Sequence, residues 1–144
     1  MVRRAKGKQS KNIQRTIAGS FYTQLLNCSG LCLFGALTSS LPVVEYLNAV
    51  TGWGLSADEY FKTGERILSL RKAFNVREKV KPEQYQMPER VLGRPQLLKG
   101  PLKGITVDMD SLQSEFYKAL GWDELIGGPT QEKMDELGIK TSFP

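Results

Sequence analysis

The stretch Ser56-Ala57-Asp58-Glu59-Tyr60-Phe61-Lys62-Thr63-Gly64-Glu65-Arg66-Ile67-Leu68 decides the fold class. Ser56 is a good N-cap, and Glu59 three residues later completes a capping box, two features that start helices and not strands. Tyr60, Gly64, Ile67, Leu68 and Phe74 then form an apolar stripe through about residue 76, with Lys62, Glu65, Arg66 and Ser69 expected on the exposed side. Gly64 costs such a helix about 1 kcal/mol against alanine. A close approach of another backbone is the expected compensation.

The same periodicity recurs on both sides. Upstream, Ile13, Ile17, Phe21 and Leu25 mark a helix over 13–27, and Val43, Tyr46, Leu47 and Val50 mark one over 42–51 that Gly52-Trp53-Gly54 ends. Ser39 and Ser40 punctuate the apolar run between them. Downstream, Asp108 or Asp110 caps a helix to Leu120, Gly121 stops it, and Thr130 caps a short last helix ending near Gly138. Between these lies 79–105, with Pro82, Pro88, Pro95 and Pro101, where neither helix nor strand is expected. Its Val91, Leu92, Leu97, Leu98 and Leu102 predict a loop that packs against the body. Ile105-Thr106-Val107 alternates only weakly. The expected class is all-α, an irregular helical domain with a long Pro/Gly-rich packed loop.

Composition narrows the chemistry. The chain has 144 residues and no histidine, so neither a Ser–His nor a Cys–His nucleophile system can be built from it alone. The net charge of +5 is concentrated in residues 1–15, where Arg3, Arg4, Lys6, Lys8, Lys11 and Arg15 face no acid. Residues 1–12 are read as a basic flexible arm and 13–144 as the helical domain. A stand-alone basic module binding nucleic acid is the alternative function; no aromatic residue interleaves with these charges, so nucleic acid is not the expected partner. No run reaches the roughly 18 apolar residues of a membrane span. With two cysteines and no disulfide framework, the expected compartment is the cytoplasm.

Those cysteines stand in Asn27-Cys28-Ser29-Gly30-Leu31-Cys32, followed by Leu33-Phe34. On residue type alone each is as readily a buried core thiol as a ligand for a soft metal or an iron–sulfur centre. Arg77 and Glu78 read as a salt-bridged helix end, Trp53 and Trp122 as core or interface aromatics, and Asp108, Asp110 and Asp123 as cap and turn residues.

The segment resembles the cluster-ligand stretch of the tungsten-containing aldehyde ferredoxin oxidoreductases, which reads Asp-x-x-Gly-Leu-Cys and then, after a small or basic residue, Phe. Further matches follow in the family's order: Leu47 to Trp53, Gly64 to Ile67, Phe74 to Glu78, Pro88-Glu89-Arg90, Gly100 to Gly104, Gly121-Trp122-Asp123, Pro129 to Lys133 and Glu136-Leu137-Gly138. The resemblance spans about residues 13–140 and is to the C-terminal end of the family. It implies oxidation of aldehydes to carboxylic acids at a tungsten (or molybdenum) bis-pterin, with electrons leaving through a [4Fe–4S] cluster to ferredoxin. Cys32 matches the family's fourth cluster cysteine, Leu31 the residue whose backbone approaches the pterin, and Gly30 the glycine that permits that approach. Asn27 stands where the family usually has an aspartate. An amide still accepts a hydrogen bond but lacks the charge that makes such bonds roughly twice as strong. Cys28 has no ligand counterpart and is expected in the core. The remaining cluster cysteines and pterin domain are absent, so the chain is expected to be inactive alone and to need the remainder of the enzyme. An inactive gene fragment is the other reading.

Overall fold

The capping box at Ser56 forms as its sequence requires. The Ser56 amide donates to Glu59 Oε2 at 2.8 Å, and the Glu59 amide to Ser56 Oγ at 3.4 Å. The Ser56 amide and hydroxyl, both donating to Glu59 Oε2, hold the Glu59 carboxyl below its usual range. The computed structural model describes residues 6–38 and 41–140; Arg3, Arg4, Ser39 and Ser40 lie outside them. In chain order the elements are α1 (Lys6–Cys28), α2 (Leu33–Ala36), α3 (Val43–Thr51), α4 (Ala57–Arg77), a one-turn 3-10 helix (Pro82–Tyr85), α5 (Met109–Leu120), β1 (Trp122–Asp123), β2 (Gly128–Pro129) and α6 (Gln131–Glu136). The class is all-α, the two strands being a two-residue antiparallel ladder that pairs Trp122 with Pro129 and Asp123 with Gly128. No strand forms at Ile105–Val107. The first helix begins at Lys6, within the segment read as an arm.

The α1–α4 pair is the spine. Gly64 is buried, and a Cβ there would collide with the backbone carbonyl of Phe21 on α1. The mid-helix glycine is thus the contact that lets the two longest helices approach. Three buried clusters surround this spine. Ile13 and Ile17 of α1 meet Tyr117, Leu120 and Trp122. The Phe116 and Trp122 rings pack edge to face there, 6.2 Å apart. Leu25 and Leu26 meet Val43 and Tyr60, and Ala73 meets Met134, Leu137 and Ile139.

Four expectations need correction. Ser69 is buried and Glu65 is mostly covered, because α4 is flanked on two sides, by α1 and by the C-terminal elements. Phe74 is 53% exposed, since the neighbouring Ala73 is the residue that turns inward. Tyr46 and Val50 of α3 are also exposed. The loop packs chiefly through Leu92; Val91, Leu98 and Leu102 face outward, and the loop is held by its own main-chain bonds, such as Gly104 to Leu97.

Candidate functional site

Helix α1 stops because Gly30 takes a left-handed conformation, φ 74°. The Ser29 amide then bonds the Leu25 carbonyl at 3.0 Å and the Leu31 amide bonds that of Leu26 at 3.2 Å, the pattern that closes a helix on a glycine. This turn sorts the side chains. Leu26 is fully buried and Leu31 packs against the same cluster. Asn27, Cys28 and Cys32 point outward and are exposed, and both cysteines are free thiols. A Cβ on Gly30 would meet no atom within 4 Å, so the turn borders open space. Cys32 is the N-cap of α2, its carbonyl accepting the Ala36 amide at 3.1 Å.

The expectation of a core position for Cys28 is therefore overturned. Cys28 is the last residue of α1, on the side of the turn opposite Leu26, and the buried alternative for Cys32 falls with it. Asn27, Gly30, Leu31 and Cys32 lie together on one turn, which the Leu31 side chain anchors against the cluster of Leu26 and Tyr60.

No acidic residue occurs in the sequence before Glu45. Among the described residues no three His, Cys, Asp or Glu side chains gather as a metal site. A shallow groove beside Leu70, Arg71, Phe74 and Asn75 adjoins α1 through an Arg71–Gln24 hydrogen bond, one helical turn before Cys28. Arg77 and Glu78 pair at 2.9 Å at the half-exposed end of α4, as a helix-end salt bridge. Asp108 caps α5 through the Ser111 hydroxyl and amide, which hold its carboxyl below the usual range. Asp123 accepts the Leu125 and Ile126 amides in the β1–β2 turn.

Three features carried no local sequence signal. Asn48 binds the Leu55 main chain at both its amide and carbonyl, and accepts the buried Tyr60 hydroxyl at 2.8 Å. It thereby fixes the turn between α3 and α4. Lys133 bonds Glu65 at 2.6 Å and Glu136 at 3.1 Å. Lys72 sits 4.4 Å over the Tyr85 ring, and burial pushes its pKa down. In each, at least one partner lies on a different element.

The family model for aldehyde ferredoxin oxidoreductase, domains 2 & 3, matches residues 3–139. The tungsten-containing aldehyde ferredoxin oxidoreductase of Pyrococcus furiosus is 38% identical over 121 residues, which are 81% of this chain and 19% of that protein. That of Pyrococcus abyssi is 37% identical over 122 residues, 82% of this chain and 19% of the relative. That of Thermococcus kodakarensis is 38% identical over 119 residues, 80% and 19% respectively. The chain thus spans about a fifth of the length of these relatives. Among the described residues no helix is long and apolar enough to cross a membrane. With a family model covering nearly its whole length, the chain belongs to the aldehyde ferredoxin oxidoreductase family.

Proposed function

We propose that this chain is the C-terminal helical part of a cytoplasmic tungstopterin and iron–sulfur oxidoreductase, with Cys32 as one of four ligands to a [4Fe–4S] cluster. The observation that carries this reading is the exposed Cys32 thiol two residues after Gly30, whose own surroundings are open, with Asn27 exposed on the same turn. One thiol, one amide and an uncluttered main-chain turn fit an edge of such a centre, not the whole of it. When bound, the paired cofactors supply oxygen transfer to an aldehyde and an exit for two electrons to ferredoxin.

This chain's residues do narrower work. The Cys32 thiolate is an iron ligand, carried at the N-cap position of α2. Gly30 leaves room for a flat ligand to reach the main chain. The Leu31 backbone would lie against that ligand, with its partly buried side chain packed on the cluster of Leu26 and Tyr60. Asn27 accepts and donates a neutral hydrogen bond where an aspartate would bring charge, so its contact is weaker. The remaining ligands and the pterin pocket belong to the rest of the enzyme, and the chain alone has no turnover.

The test is Cys32→Ser in the assembled enzyme, with Cys28→Ser beside it. The expected result is loss or conversion of the [4Fe–4S] absorbance and EPR signals with Cys32→Ser alone. An unchanged cluster in Cys32→Ser sinks the assignment.

A further inference from the structure

α2 is four residues long and begins where the candidate ligand ends. Its inner side is held: Ala36 packs with Leu41 against the cluster of Leu26 and Tyr60. Its outer side is bare. Leu33 is 44% exposed, Phe34 80% and Leu37 69%. Three large apolar side chains are thus presented to water on a short, anchored element, next to a thiol that is exposed as well.

We propose that the outer face of α2, centred on Phe34, seats against the polypeptide that carries the other cluster ligands and closes water away from Cys32. The inference rests on the functional reading above. Two observations select this occupant. About four-fifths of each relative lies outside the matched segment, so a large protein surface is available to cover the patch. One thiolate cannot complete a four-cysteine cluster. Whatever supplies the other three must approach within bonding reach of one small cofactor. α2 rises only about 6 Å from Cys32, so it falls inside that footprint. A large apolar ring near the centre of an interface is the residue type that anchors one.

The probe is the part of the Pyrococcus furiosus relative that lies outside the match, co-expressed without oxygen with the full 144-residue chain. The readouts are affinity, alkylation of Cys32 by iodoacetamide, and hydrogen exchange over α2. Phe34→Glu is compared with Leu125→Glu, which alters a 90% exposed leucine in the β1–β2 turn. Both variants are first checked for unchanged melting of the isolated chain. The expected result is a one-to-one complex that protects Cys32 and α2 and that Phe34→Glu alone weakens by about tenfold or more.

A complex that tolerates Phe34→Glu, or that leaves α2 open to exchange, overturns the proposal. So does failure of the wild-type chain to bind the probe. Self-association abolished by Phe34→Glu, without binding to the probe, assigns the face to a second copy and overturns it too. The two readings fail separately. A cluster retained in Cys32→Ser with docking intact refutes the ligand, whereas docking indifferent to Phe34 refutes the surface.

Discussion

The corner where α4 meets α6 and the junction between α1 and α2 are built from similar residues and treated oppositely. At the corner Met134 is fully buried, and Leu137 and Ala73 are nearly so. At the junction Leu33, Phe34 and Leu37 face water beside two exposed cysteines. Apolar side chains at the corner have found their partners within the chain. Those at the junction have not, and contiguous apolar exposure of that kind marks an interaction surface. The difference separates the residues that hold this domain together from those that serve assembly.

The sharpest way to break the contrast is to truncate one residue on each side. Met134→Ala is expected to cost about 2–5 kcal/mol, because it removes buried surface and leaves a cavity. Phe34→Ala is expected to stay within about 0.5 kcal/mol in the isolated chain. Urea titration of both variants checks this, and comparable losses would erase the distinction.

Asn48→Ala comes next. It strips the Leu55 main chain and the buried Tyr60 hydroxyl of their shared partner, so a loss of about 1–3 kcal/mol is expected. Tyr60→Phe removes only one of these bonds and should lose less. Equal losses would mean that the Leu55 contacts contribute nothing.

Gly64→Ala tests the spine. Alanine gains about 1 kcal/mol of helix propensity, but its Cβ collides with the Phe21 carbonyl, and overpacking of that kind costs about 1–3 kcal/mol. Net destabilisation is expected, and a more stable variant would show that α1 and α4 separate freely.

Local chemistry explains what was legible in the sequence. The Ser56–Glu59 box, the Asp108 and Thr130 caps and the Gly52 and Gly121 stops each act within a few residues, and all appear where their residue types require. The faces of α4 were harder to read. One apolar stripe implies one covered side, but α4 is covered on two, by elements far apart in the chain. Local periodicity puts Glu65 outside because its partner, Lys133, lies 68 residues later, counting 133 minus 65. Residue type alone puts Cys28 inside because cysteine is commonly buried. Only the geometry of the Gly30 turn shows which side of α1 it occupies. The outward loop leucines have a separate cause: hydrophobicity specifies that a side chain seeks cover, not which polypeptide provides it.

The smallest effect concerns the charge at the closed corner. Burial pulls the Lys133 ammonium toward neutrality, yet the hydrogen bonds it donates to Glu65 and Glu136 outweigh it and its pKa rises above 10.5. A cation whose pKa is raised by folding contributes stability that is fully present below its unfolded value. That contribution fades as pH climbs through the folded one. The loss therefore falls on the alkaline side of about 10.5. Tyr117, whose pKa burial also raises, weakens the fold in a similar alkaline range, while Lys72, pushed down by burial, acts with the opposite sign. Lys133→Met isolates the first effect. The wild-type chain should be more stable than Lys133→Met by about 1 kcal/mol or less at neutral pH, and the gap should close above pH 10.5. A gap that persists into strong alkali would mean that the Lys133 stem, packed against Gly121, contributes more than its charge.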